Sequence, residues 1–225
     1  MKLPCSELFN LKNWHNCQDV HTNLKSIQQL LDNEFNEGVK DYKNQNVVIM
    51  GSVHLGENVQ LNPYVVIDGP VWIGDGCKLG PNCYIRPYTV LESNINVGFG
   101  VEIKESLIGD GSTIAHLSYI GNSIIGRNVM LGANFCTAVE RLDCNTISLN
   151  LSSKMIPTGL LKLGTIIGDN TRIGVGTSVM PGIAVGSDCI IGPHMVIWHH
   201  IKDGCKAFLK LHKIPFKYLE FDNIQ

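Results

Sequence analysis

From Ile49 onward an aliphatic residue returns at every sixth position: Ile49, Leu55, Leu61, Ile67, Ile73, Leu79, Ile85, Leu91, Val97 and Ile103. With small slips the series runs on through Ile108, Ile114, Ile120, Ile125 and Leu131, and after a gap it resumes at Ile167, Ile173, Val179, Val185, Ile191 and Ile197. The next residue is often glycine, as at Gly56, Gly74, Gly98, Gly121, Gly168 and Gly192, and a second compact residue follows four positions after the aliphatic, as at Val53, Val59, Cys77, Cys83 and Thr89. Internal repetition of this kind constrains the fold more than any local propensity. Six residues are too few for a helix pair or a hairpin, but they make one short strand and a corner. Three such units close a triangular coil, and coils stack at the roughly 4.8 Å spacing of paired strands. The aliphatics then fill the interior as ladders, and glycine at a corner tolerates backbone angles that a side chain forbids. The expected fold is all-β, a parallel β-helix of hexapeptide repeats, and the 21 rungs named make seven coils.

The flanks read differently. Residues 19–36 carry Leu24, Ile27, Leu30 and Leu31 at helical spacing, so residues 1–45 are expected to form a helical cap over the first coil, since solenoid ends need covering. The helix body spans 46–200. Residues 136–163 lose the period and are expected to be an excursion between coils, with strand character at 146–151. Residues 201–225 form an extended tail, more basic and aromatic, for the last coil or a neighbouring subunit.

Composition narrows the function classes. The 225 residues are only 17% charged with a net charge of −2, which gives no electrostatic case for nucleic acid. No apolar run approaches the ~18 residues of a spanning helix, and the first ten residues lack the apolar core of a secretion signal. The eight cysteines are scattered, without CxxC pairs, and read as reduced thiols of a cytoplasmic protein. Cys77, Cys83 and Cys189 fall on the inward compact position, where a small apolar side chain is wanted. His194, His199 and His200 cluster without a carboxylate, so no metal site is expected.

Several residues break the pattern. The small corner position holds Arg86, Glu92 and Lys104. Arg86 and Lys104 are 18 residues apart, one full coil, and should stack within ~5 Å at the backbone. Two stacked cations repel unless an anion lies between them. They are either splayed, solvated side chains with Glu92 or Glu102 nearby, or a phosphate site in which an Arg fork works beside a Lys point charge. His116 takes an outward position just beyond a rung. It is either plain surface or a general base, with Glu102 close enough along the coil to orient it.

Residues 84–133, "YIRPYTVLESNINVGFGVEIKESLIGDGSTIAHLSYIGNSIIGRNVMLGA", resemble the acetyltransferase domain of the bifunctional N-acetylglucosamine-1-phosphate uridyltransferases. Residues 159–193, "GLLKLGTIIGDNTRIGVGTSVMPGIAVGSDCIIGP", are similar to the archaeal-type sugar-1-phosphate nucleotidylyltransferases that end in an amino-sugar acetyltransferase. The resemblance implies a left-handed helix, a homotrimer, and binding of acetyl-CoA and an amino-sugar phosphate in clefts between subunits. It also implies His116 as the base that deprotonates the sugar amine, Glu102 as its supporting carboxylate, and Arg86, Lys104 and Tyr119 as sugar-phosphate contacts. Ala133 lies where a backbone amide can face the thioester carbonyl of the acyl donor. The chain departs from the pattern at Met130, Val139, Asn145, Ser148, Leu160 and Leu161, while Lys162 remains. With only about 45 residues before the first rung and no Gly-rich phosphate loop, no pyrophosphorylase activity is expected. The leading expectation is an acyl-CoA-dependent N-acetyltransferase. The alternatives are a non-catalytic trimer that binds a sugar phosphate or nucleotide sugar or serves as a scaffold, and O-acylation or transfer of a longer acyl chain.

Overall fold

The computed structural model describes residues 28, 31, 32, 46–151 and 154–209. Three parallel sheets form a triangular prism, with strands mostly of two or three residues, one per repeat unit. The first face has eight strands from Val48–Met50 to Val196–Ile197, the second seven from Val53–Leu55 to Ala184–Val185, and the third eight from Gln60–Leu61 to Lys206–Ala207. The aliphatics pair coil to coil in perfect register: Ile85 opposite Ile103, and Ile103 opposite Ile120. The interior is a ladder of Ile67, Ile73, Leu79, Ile85, Leu91 and their successors, with Phe135 the largest fully buried side chain among the described residues. Burying each such side chain contributes roughly 1.5–3 kcal/mol.

The repeat extends further than its aliphatics show. Thr137 keeps a rung in the first sheet, opposite Val179. Its hydroxyl accepts the Gly121 N–H at 2.8 Å, so a buried polar side chain replaces the expected aliphatic and hides the unit. The excursion therefore starts after the Cys136–Thr137 strand. At the other end Ile201 pairs with Val185 and Ala207 with Ile191, which carries the coil past residue 200. The rest of the tail, beyond residue 209, lies outside the described residues.

The inward cysteines are buried, but they are more than fillers. The Sγ–H of Cys77 donates to the Glu92 carbonyl at 3.0 Å, that of Cys83 to Gly98 at 2.9 Å and that of Cys189 to Lys202 at 3.1 Å. Ser112, Thr171 and Thr177 do the same with hydroxyls. The position selects a short donor for a corner carbonyl of the next coil. Burial pushes the Cys77 thiol up to about 11 and raises Cys83 and Cys189 as well. In the folded protein at pH 8, iodoacetamide should label exposed Cys144 and leave these three unmodified, as peptide mass spectrometry will show. The ordinary value for the Cys77 thiol is about 9, so it ionises there once unfolded. The stability held by protonated Cys77 is therefore complete below pH 9 and is lost as pH rises through about 11, a change of about 3 kcal/mol.

The second face is covered rather than solvated. Its outward residues Val90, Leu107, Ile124, Ile166 and Ala184 are buried with Ile147, Leu149 and Leu163 of the excursion, and with Leu31. The excursion is an antiparallel hairpin of Ile147–Leu151 and Lys154–Leu160. Its first strand matches the expectation, while Pro157 and Gly159 disguise the second. Of the residues expected to form the N-terminal helix, Gln28, Leu31 and Asp32 are described, and all three are helical. Leu31 packs on this flank rather than over the first coil. The doubled aliphatics "VL", "LI" and "II" at 90–91, 107–108, 124–125 and 166–167 are the cause: one residue of each pair points inward, and the other makes an apolar outer stripe that must be buried.

Candidate active site

The outward row of the first face brings Tyr84, Glu102, Tyr119 and Cys136 side by side in register. Arg86 and Lys104 stand at the edge of this row, where the chain turns into the second face. They occupy adjacent coils, as their spacing requires. Each already has a carboxylate. Arg86 Nη1 donates to Glu102 Oε1 at 2.8 Å, with both side chains 38% exposed, and the guanidinium lies 5.8 Å from the Tyr84 ring centroid. Lys104 is buried, with Nζ 3.6 Å from Glu105 Oε1, and Glu105 Oε2 accepts from Asn122 Nδ2 at 2.8 Å. A recess of about 260 Å³ opens here, lined by Gln28, Arg86, Pro87, Tyr88, Lys104 and Glu105.

The step from Ile103 to Ile108 is five residues, one short, and Glu105 there takes the left-handed corner angle, with a φ of 44°, that Tyr88 takes at 60° and that Asn58, Asn82 and Asn94 take at full-length corners. Asn122, on the next short corner, leaves its buried Oδ1 without a hydrogen-bond partner among the described residues. Below Lys104 the row needs glycine: a Cβ at Gly121 would lie 2.6 Å from Tyr119 Oη. The Tyr119 phenol therefore lies across Gly121. Burial raises its pKa, and the Glu102 carboxylate adds to the effect.

His116 stands on the opposite margin, where the third face turns into the first, and it is exposed. The Phe99 N–H donates to its Nδ1 at 2.9 Å, an approach allowed by Gly98, where a Cβ would meet that nitrogen at 2.8 Å. The neutral ring so held carries its proton on Nε2. At the corner between the second and third faces several equivalent amides are taken by a carboxylate of the next coil, Glu57 N–H by Asp75, Arg127 N–H by Asp169 and Ser187 N–H by Asp203, while those of Asp75, Ser93 and Asp169 have no acceptor among the described residues. At the His116 corner the next coils offer Ala133, Val175 and Pro193, which have no acceptor. The N–H groups of His116, Ala133 and Val175 consequently have no hydrogen-bond acceptor among the described residues. They form a column of outward donors on one edge.

Thus Arg86, Lys104, Glu102 and Tyr119 come together on one face, with His116 and Ala133 along its far edge. Glu102 pairs with Arg86, and the partner of the His116 ring is a backbone amide. Among the departures, Met130 is exposed on the third face between Thr113 and Arg172, and Val139 packs on Gly121. Ser148 sits in the hairpin opposite Pro157, and the Asn145 N–H donates to Asp143 in the excursion. Lys162 folds back to Glu140 at 2.9 Å. That contact holds the Glu140 carboxyl below its usual range and raises Lys162. The two five-residue steps, Ile103 to Ile108 and Ile120 to Ile125, are the signal in the sequence that sets Glu105 and Asn122 apart from other corner residues. No three His, Cys, Asp or Glu side chains converge as a metal site among the described residues, and no described helix is long and apolar enough to cross a membrane.

A three-sided coil of hexapeptide rungs, with an imidazole, a phenol and paired cations on one open face, defines a hexapeptide-repeat transferase. Residues 164–197 match the family described as bacterial transferase hexapeptide (six repeats), and residues 67–148 match the GMPPB C-terminal domain. The chain is 43% identical over 197 residues, 88% of its length, to the bifunctional protein GlmU of Methanocaldococcus jannaschii, and spans 48% of that relative. It is 41% identical over 152 residues to the bifunctional sugar-1-phosphate nucleotidylyltransferase/acetyltransferase of Sulfurisphaera tokodaii, covering 68% of this chain and 38% of that protein. With the uncharacterized acetyltransferase YaiX of Escherichia coli it shares 31% identity over 191 residues, covering 79% of this chain and 83% of YaiX. The chain belongs to the hexapeptide-repeat acetyltransferase family.

Proposed function

We propose that the protein transfers an acetyl group from acetyl-CoA to the amine of an amino-sugar phosphate, in a cleft between copies of a homotrimer. The observation that carries this reading is the first face itself: stacked cations suited to a phosphate at one edge, and an imidazole beside a column of unengaged amides at the other. In this mechanism Arg86 and Lys104 hold the phosphate, with Arg86 exchanging Glu102 for it and Tyr119 filling the ground between. The amine attacks the thioester carbonyl. The Ala133 N–H stabilises the oxygen that becomes negative, the C–S bond breaks to release CoA, and an amide forms. His116 takes the amine proton at Nε2, which requires the ring to give up its bond from Phe99. Glu102 acts on the phosphate side of the site, as the resting partner of Arg86.

A second reading, a non-catalytic sugar-phosphate binder, is favoured by that same Phe99 bond, which holds His116 as a donor at Nε2, and by apolar Met130, Val139, Leu160 and Leu161. The deciding experiment incubates the protein with acetyl-CoA and glucosamine-1-phosphate or galactosamine-1-phosphate and follows free thiol. Turnover supports transfer. Absence of turnover across a panel of amino sugars, with sugar-phosphate binding intact, supports the binder.

A further inference from the structure

We propose that Gln28, on the N-terminal helical segment, is a specificity residue that forms one wall of the recess at Arg86 and Lys104 and sets the charge of the ligand accepted there. The inference rests on the reading of those two cations as an anion site. Gln28 and Leu31 are three residues apart and helical, so they project to the same side. Leu31 is fully buried in the flank cluster with Val90 and Leu107. That anchor sets the neighbouring turn against the recess, which Gln28 lines with Arg86, Pro87, Tyr88, Lys104 and Glu105. Two cations, one carboxylate and the Tyr88 phenol line the cavity, and Gln28 adds a neutral amide that both donates and accepts. Such a wall can donate to a phosphate oxygen or to a sugar hydroxyl without repelling either. A carboxylate at the same place would cancel the net positive charge of the lining. The volume of about 260 Å³ is below the roughly 300–1,000 Å³ of clefts that take drug-sized ligands. The recess therefore takes the phosphate end of a sugar phosphate, the remainder of which lies in the cleft between subunits.

The test is a charge series at position 28 in the full chain, with inorganic phosphate and glucosamine-1-phosphate titrated by calorimetry. Gln28→Glu should weaken both ligands about tenfold, and Gln28→Lys should tighten them by a similar factor. Arg86→Ala should abolish binding. Asp32→Asn, which changes charge on an exposed residue one turn along, should change nothing. Opposite signs from Glu and Lys cannot come from a folding defect, which would weaken binding in both. If wild type binds and Arg86→Ala does not, yet both position-28 variants stay within twofold of wild type, Gln28 is no wall of the site and the inference fails alone. If wild type binds neither ligand, the anion site fails, and this inference with it.

Discussion

His116→Ala should lower kcat/KM for acetyl transfer by about 10²–10⁴-fold, the usual contribution of a positioned general base, while the coil stays folded. The side chain is exposed and forms none of the interior, and its ring bond is one acceptance from Phe99 at 2.9 Å, so truncation removes chemistry with little packing. His116→Asn sharpens the experiment. An asparagine Oδ1 can accept the same Phe99 N–H, which keeps the corner, but it cannot take the amine proton. Both variants should show the same loss in a continuous free-thiol assay, with thermal midpoints within a few degrees of wild type. Retention of more than half the wild-type rate in either variant would remove His116 from the mechanism and leave the leaving thiolate or a water to take the proton.

Phe135→Ala carries the largest expected cost in stability. Phe135 is fully buried at a position where other coils hold Cys83, Thr89 or Ser112, and emptying it leaves a cavity that stiff strands cannot close. A loss of about 3–5 kcal/mol follows, or roughly 6–20 °C in the midpoint of a domain this size. The effect should reach the site as well. The Phe135 carbonyl accepts the Tyr119 N–H at 2.9 Å, and its own N–H donates to Ser118 Oγ at 3.2 Å. A collapse at 135 thus shifts the segment that carries His116 and Tyr119. Phe135→Leu should recover most of the stability, and Leu142→Ala, on a fully exposed residue, should change it by less than about 0.5 kcal/mol. Scanning calorimetry of the three variants checks the order. A Phe135→Ala midpoint within 2 °C of wild type would show that the interior repacks freely.

The coil, its three faces and the stacking of Arg86 on Lys104 were legible because a period of six converts directly into position: residues one coil apart must be neighbours. A period of six does not show a side chain whose role depends on another element. Thr137 is a rung whose hydroxyl, not its hydrophobicity, fits the interior. Cys77 and Cys83 satisfy carbonyls that belong to the next coil. Glu102 bonds to Arg86 across the sheet, a partner that spacing along the chain does not single out from His116.

By itself the sequence determined the β-helix, its register and the face on which the candidate residues gather, since repetition fixes each residue's neighbours without any need for long-range folding. Tertiary structure alone decided the rest. It showed that the second face is closed by the hairpin and Leu31, that Gln28 lines the recess, that Glu102 bonds to Arg86, and that the amides of Ala133 and Val175 have no acceptor among the described residues. Those contacts join segments with no common period, so apolar burial and hydrogen-bond satisfaction set them once the coil exists.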